Sequence, residues 1–135
     1  MYMKAWRKKV RDAALAAPQH TYLWLTKKPN YTDEYIQPNW WQGVSITSNS
    51  DADRLEDMIP VEGNTWISYE PLFGIIEDPP EVGQVVIGRV TNYNCAWALQ
   101  WAMQLTNFYD ERKIPVFWKD NIGIRGPKEL AWGKK

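Results

Sequence analysis

The chain has 135 residues, with 16 Lys and Arg balanced by 16 Asp and Glu, one His, one Cys and nine Trp. One cysteine excludes an intrachain disulfide and falls short of the about four ligands of a zinc or iron–sulfur site. Zero net charge argues against a generally basic nucleic-acid binder, and no apolar run approaches the ~20 residues of a membrane span. We therefore expect one cytoplasmic domain over residues 1–135 with no membrane contact, and leave nucleic-acid binding open.

The neutral total hides a basic–acidic–basic order along the chain. Residues 1–30 carry seven positive charges and one negative, residues 31–81 carry eleven negative and one positive, and residues 82–135 carry eight positive and four negative. Solvated helix and loop faces explain such a pattern. The alternative is a basic surface that meets an acidic partner, such as another copy of the chain.

The first half of the chain alternates helical hydrophobic spacing with β-rich runs, separated by proline and polar caps. In chain order it is predicted to contain a helix over 4–17, a strand over 21–26, a short helical turn over 31–37, a strand over 41–47, a helix over 48–58 and a strand over 65–69.

The second half is predicted to contain a loop over 74–83, a strand over 84–90, a helix over 94–112, a strand over 115–119 and an irregular tail from about 123. Short β-rich strands between helices indicate parallel βαβ units, and thus an α/β domain of about five parallel strands. The pattern alone favours an arc of a TIM-type (β/α) barrel and an open parallel sheet equally.

In both architectures functional side chains gather where the strands end. Alternation places Gly43, Ser45 and Thr47 on one face of their strand, opposite the apolar Val44 and Ile46. We expect the small polar face to point to the ligand side.

Ser68 and Glu70 share a face in the next strand, by the same alternation. An unpaired charge in such a place is costly. We therefore predict that Glu70 lies within salt-bridge reach of Lys119, Lys27 or Lys28. The acidic residues between 51 and 57 are interpreted as a solvated helix face, and no metal site is predicted.

Six strings of the sequence are familiar as an ordered set: Ala17-Pro18-Gln19-His20-Thr21, Leu25-Thr26-Lys27-Lys28-Pro29, Gly43-Val44-Ser45-Ile46, Ser68-Tyr69-Glu70-Pro71-Leu72, Val85-Val86-Ile87-Gly88 and Ile114-Pro115-Val116-Phe117-Trp118-Lys119-Asp120-Asn121. They resemble a phage- and prophage-associated family of unknown function that is related to radical S-adenosylmethionine proteins, such as the spore photoproduct lyase-like group. The resemblance covers roughly residues 16–125. It implies a (β/α) barrel, and so favours a partial barrel over the open sheet, in a bacterial or phage-infected host.

The chain departs from the family pattern in two places. That pattern begins upstream, with a Trp-Asn-Pro-Trp-like start and a cysteine cluster, so we expect this chain to be a C-terminal half, as a fragment or a truncated phage gene. S-adenosylmethionine and an iron–sulfur cluster are then implied for full-length relatives only, and no cofactor is expected here. Where the family tends to have a Gly-Gly-Glu-like string, this chain has Gly88, Arg89 and Val90.

Three functions follow from these expectations. The first is a remnant of a radical S-adenosylmethionine-like protein that binds an anionic or nucleotide-like ligand at the strand ends, through Lys27, Lys28, Ser45, Ser68, Glu70, Arg89, Lys119 and Asn121. The second is a non-enzymatic, phage-encoded interaction module that self-associates through exposed sheet edges or pairs with the missing N-terminal half. The third is a small enzyme with Glu70 as acid–base and Lys119 as electrostatic stabiliser. No catalytic motif is complete, so the sequence leaves enzymatic activity open.

Overall fold

The computed structural model describes residues 2–29, 37–57, 64–90 and 96–132, with only the backbone of residues 2–4 and 96. Two α-helices and five strands lie in these ranges: α1 Tyr2–Ala16, β1 Tyr22–Thr26, β2 Trp40–Ser45, β3 Thr65–Tyr69, β4 Gln84–Ile87, α2 Ala96–Glu111 and β5 Val116–Trp118. The five predicted strands and both long helices are confirmed. The helical turn predicted over 31–37 falls almost wholly outside the described residues.

One predicted helix takes a tighter form. Residues Asn49–Asp57 make a 3₁₀ helix rather than an α-helix. Its start is held by Asp51, whose carboxylate accepts hydrogen bonds from the backbone N–H and the hydroxyl of Thr47, at 2.9 and 2.6 Å. Such local side-chain bonds compete with the regular α-helical ladder.

All strand pairs are parallel, and the strands follow one another in chain order across the sheet, β1-β2-β3-β4-β5. Within the described residues the domain is therefore α/β, with an open parallel sheet of five strands. In doubly wound sheets the strand order reverses at one point, and in this sheet it does not. A sequential order is that of the strands in an arc of a (β/α) barrel.

One face of the sheet, here called the core face, packs against α2. Its central row is apolar in four strands, where register aligns Val44, Ile67, Val85 and Val116. These residues share a buried cluster with the inner side of α2, which contributes Ala102, Leu105 and Tyr109. Val44 and Ile46, opposite the small polar face, thus lie on the side of the sheet that α2 covers.

The opposite face, here called the polar face, carries Gly43, Ser45, Ser68 and Glu70. The C-terminal tail crosses the amino-terminal half of this face. The Gln84 amide donates to Glu129 O and accepts from the N–H of Ala131. The Trp132 ring then lies edge-on to Trp41 and Trp66, with centroids 5.4 and 5.3 Å away. The tail is irregular in the structure, and its role as a cover for half of the face had no sequence signal.

The two edges of the sheet differ. The tail also follows the outer edge of β5, where Trp118 donates its N–H to Pro127 O at 2.8 Å and Phe117 bridges antiparallel to Lys128. In the described ranges β1 has β2 as its one neighbour. The expectation of exposed edges thus applies to β1, whereas β5 is partly covered.

Candidate ligand-binding site at the carboxyl edge of the sheet

The carboxyl edge, meaning the residues that directly follow the strands, is ordered by hydrogen bonds that continue the sheet. Ile46 donates its N–H to Ser68 O at 3.0 Å, Gly88 donates to Tyr69 O at 3.0 Å, and Lys119 donates to Ile87 O at 2.9 Å. These bonds extend the parallel register one step beyond the strands. As a result Glu70, Gly88 and Lys119 lie side by side on three neighbouring strands.

An ion pair spans this row. Lys119 Nζ donates to both carboxylate oxygens of Glu70, at 2.9 and 2.7 Å. The two residues belong to strands that are not neighbours, about 10 Å apart at the strand spacing. Gly88 stands between them, and a Cβ there would lie 2.9 Å from the Glu70 Cδ. The pair therefore depends on the missing side chain of Gly88. Glu70 was predicted to meet one of three lysines, and its partner is Lys119.

Asn121 joins this pair to Arg89. Its side-chain amide donates to Arg89 O at 2.8 Å and lies 3.4 Å from the Glu70 carboxylate. Arg89 in turn donates its backbone N–H to the Asn121 amide oxygen, at 3.3 Å, and its Nε–H to Asn121 O. Four of the predicted site residues are therefore connected in one network: Glu70, Arg89, Lys119 and Asn121.

The Arg89 guanidinium packs against the turn at Gly123. Gly123 has a positive φ of 94° and ends the short 3₁₀ helix Asp120–Ile122. A Cβ at this glycine would lie 3.2 Å from Arg89 Nη2. Glycine at 123 therefore serves both the backbone conformation and the close approach of the cation.

Ser45 and Ser68 are aligned partners in neighbouring strands, on the polar face below the ion pair. Both residues are buried, with 7% and 4% of their surface exposed. The described buried side-chain atoms that lack a hydrogen-bond partner are Trp24 Nε1, Gln42 Oε1 and Trp66 Nε1, so the hydroxyls of the two serines are not among the buried unsatisfied groups.

Lys27 and Lys28 lie apart from this network. Both are exposed directly after β1, and Lys28 donates its backbone N–H to the Thr26 hydroxyl at 2.9 Å. Their side chains form no ion pair with a described residue. The structure therefore places two uncompensated cations at the same edge of the sheet, separated from Lys119 by β2, β3 and β4.

Two features of the edge were absent from the sequence prediction. Arg54 donates to Ser45 O at 2.6 Å and pairs with Asp51 at 2.8 Å, which ties the 3₁₀ helix to the end of β2. Burial of the Asp51 carboxyl raises its pKa, but hydrogen bonds from Thr47 and the nearby Arg54 outweigh that effect and hold the pKa below its ordinary value. The only sequence signal was the spacing of Asp51 and Arg54, a common i,i+3 pair.

The second missed feature is the segment after β3. The Glu70–Pro71 peptide bond is cis, and the chain then crosses the edge. Leu72 donates its N–H to Gly88 O at 3.0 Å, and Phe73 donates to Thr47 O at 2.9 Å. This segment thus connects the ends of β4 and β2.

Fold and edge together define an α/β parallel-sheet domain with a polar, mainly cationic carboxyl edge. Residues 2–131 match the family described as protein of unknown function DUF5131. The chain belongs to this family, since the match covers almost all of its length. No curated protein and no solved structure matches the chain significantly.

Two further observations concern metal binding and membrane crossing by the described residues. Within ranges 2–29, 37–57, 64–90 and 96–132, no three His, Cys, Asp or Glu side chains are grouped so that they could hold a metal ion. Neither described α-helix has the length and apolar character that a membrane crossing requires.

Proposed function

We propose that this chain is a small-ligand-binding domain that takes up an anionic, nucleotide-like ligand at the carboxyl edge. The observation that carries the proposal is that Lys27, Lys28 and Arg89 lie at this edge with no acidic partner among the described residues, next to the network of Glu70, Lys119 and Asn121. An anionic group of a ligand would supply the negative charge that these cations lack.

The charges of the edge support an anion. Asp51 is paired with Arg54 at 2.8 Å and Glu70 with Lys119 at 2.7 Å, so these two acids are compensated. Lys27, Lys28 and Arg89 have no acidic partner among the described residues. Three uncompensated cations at one edge attract and position an anionic group.

We further propose that the chain derives from a phage- or prophage-associated relative of the radical S-adenosylmethionine proteins, and that its sheet is part of a (β/α) barrel. The sequential strand order and the ordered strings at the strand ends support this origin. The lone Cys95 cannot supply the about four thiolates of a cluster. The proposed binding therefore depends on the residues of the carboxyl edge alone.

Isothermal titration with adenosine monophosphate and with inorganic phosphate tests the ligand proposal. The double variant Lys27→Ala/Lys28→Ala and the single variant Arg89→Gln are each expected to weaken binding of both ligands by about tenfold, because one or two cations are lost. Lys9→Ala, which removes an exposed cation from α1, is the matched control and is expected to bind like the wild type. Failure of the wild type to bind either ligand would contradict the proposal.

A second candidate function, self-association, is favoured by the open edge of β1. Leu23 and Leu25 on this strand are 43% and 49% exposed, and Trp6 and Val10 on α1 are 65% and 50% exposed. An open strand edge on a strand that exposes apolar side chains, as β1 does with Leu23 and Leu25, is a template for pairing with another chain. Because β5 is partly covered by the tail, pairing of β1 with β1 of a second copy would close at a dimer.

Light scattering during size exclusion tests the dimer, over a range of protein concentration. The wild type is expected to elute as a dimer at high concentration, and Leu25→Lys is expected to elute as a monomer because the added charge opposes edge pairing. Ile75→Lys, an exposed position outside β1, is the control. A wild type that stays monomeric at every concentration would exclude this candidate.

A further inference from the structure

The aromatic side chain of Phe73 stands at the carboxyl edge and was not among the predicted site residues. Its neighbour Leu72 is buried in the core cluster, whereas Phe73 is 57% exposed. A phenyl ring left in water loses the stabilisation that burial would bring. The ring stands at the same edge as the proposed ligand and is accessible to it.

The backbone that carries Phe73 is fixed on both sides. The N–H of Phe73 donates to Thr47 O at 2.9 Å, and that of Leu72 donates to Gly88 O at 3.0 Å. Further along, Glu77 donates its N–H to the Asn49 side chain at 2.9 Å. The ring therefore extends from an anchored segment, and it retains only its own two side-chain torsions.

Phe73 also lies close in sequence to the ion pair. It is three positions after Glu70, and three extended chain steps span at most about 11 Å. Gly88 links the two directly, since its carbonyl holds Leu72 and its missing side chain leaves room for Glu70. Arg89 directly follows Gly88, so an anion at Arg89 would hold the rest of a ligand near the segment that carries this ring.

We infer that Phe73 is the stacking platform for an aromatic base, so that the ligand of the carboxyl edge is a nucleotide rather than a simple phosphate or carboxylate. The inference rests on the proposed function. Every nucleobase presents a flat π-face, and stacking on an aromatic side chain binds bases with little regard to sequence. Arg89 then holds the phosphate, Lys27 and Lys28 add long-range attraction for the anion, and Phe73 holds the base.

Binding of adenosine monophosphate and of ribose 5-phosphate, measured by isothermal titration, separates the two parts of the site. The wild type is expected to bind adenosine monophosphate about tenfold more tightly, because ribose 5-phosphate has no base to stack. Phe73→Ala is expected to abolish this difference while its affinity for ribose 5-phosphate is unchanged. Phe73→Tyr keeps a ring and is expected to retain the preference.

Ile75→Ala is the matched control, since Ile75 is exposed on the same segment but has no ring; it is expected to bind both ligands like the wild type. Thermal unfolding followed by circular dichroism verifies that each variant is folded. Equal affinity of the wild type for both ligands, or an unchanged preference in Phe73→Ala, would overturn the stacking inference and leave anion binding intact. Binding of neither ligand would overturn both.

Discussion

Glu70 and Lys119 form an ion pair across the strand that lies between their own strands. The two carboxylate oxygens of Glu70 accept from one ammonium group at 2.9 and 2.7 Å. A residue with a side chain at position 88 would stand between them. The ion pair therefore requires glycine at position 88, directly after β4, as well as the two charged groups.

Gly88→Ala is predicted to separate the ion pair at little cost in stability. The new Cβ would lie 2.9 Å from the Glu70 Cδ, near the end of a flexible side chain that can turn away. We expect a change of less than about 1 kcal/mol in the free energy of unfolding. A crystal structure is expected to show the carboxylate more than about 4 Å from Lys119.

Gly43→Ala is the informative comparison for that variant. A Cβ at Gly43 would lie 2.3 Å from the buried indole of Trp66, which packs against Trp132 and has little room to move. Overpacking of this kind costs about 1–3 kcal/mol. Equal losses in urea denaturation for the two variants would contradict the assignment of Gly88 to the ion pair.

Loss of the ion pair itself is predicted to leave stability almost unchanged. The Glu70 and Lys119 side chains are 28% and 45% exposed, and pairs in contact with water contribute about 0–1 kcal/mol. Glu70→Gln is therefore expected to unfold within about 1 kcal/mol of the wild type in urea. A loss several times larger would show that the pair serves the fold rather than a ligand.

Tyr109→Phe is predicted to destabilise the chain more than Tyr69→Phe. The Tyr109 hydroxyl donates to Pro80 O at 2.9 Å and accepts from the Tyr69 hydroxyl at 2.7 Å. Removal of the Tyr109 hydroxyl thus leaves the buried Tyr69 hydroxyl and the half-buried Pro80 carbonyl without a partner, at about 1–3 kcal/mol for a buried group, whereas Tyr69→Phe breaks one bond. Urea denaturation of the two variants measures the difference, and the reverse order would contradict this direction of donation.

The same tyrosine pair predicts a loss of stability in alkali. Burial raises the pKa of both hydroxyls above their ordinary value, and for Tyr109 the neighbouring Tyr69 raises it further. The unfolded chain therefore loses these protons first as pH rises above about 10, and the free energy of unfolding falls there. The double variant Tyr69→Phe/Tyr109→Phe is expected to show a smaller decline over this pH range.

Asp51→Asn is predicted to destabilise the chain by about 1–2 kcal/mol at neutral pH, because its carboxylate accepts two hydrogen bonds from Thr47 and pairs with Arg54. The folded-state pKa of Asp51 lies below the unfolded value, so this contribution is present above about pH 4 and is lost as pH falls through the folded pKa. Urea denaturation at neutral and acid pH is expected to show a gap that closes in acid. Asp53→Asn, at an exposed position of the same helix, is expected to stay within about 0.5 kcal/mol at both.

The strand ends were the part of the site that sequence periodicity could predict. Alternation placed Ser45 and Ser68 on the polar face, and the cost of an unpaired charge predicted a partner for Glu70. The choice of Lys119 over Lys27 and Lys28 required the strand order, because sequence spacing says nothing about which strands are neighbours.

The positions of residues in irregular segments could not be predicted from strand periodicity. Phe73 follows Pro71 in a stretch without periodicity, and its hydrogen bond to Thr47 links two loops far apart in the chain. The tail crosses the polar face through Gln84 and Trp132, contacts that carry no repeating pattern. Such contacts are set by how loops pack, and no local propensity encodes them.

The sequence by itself determined the α/β class, the five strands and the faces on which their side chains lie, since these follow from local periodicity and the pleat of a strand. Only the tertiary structure decided that Glu70 meets Lys119 across Gly88, that Arg89 and Asn121 join them, and that Lys27 and Lys28 do not. Each of these outcomes depends on long-range register, which sums many weak contacts over the whole sheet. Hydrophobic spacing specifies elements, and the packing of those elements specifies the site.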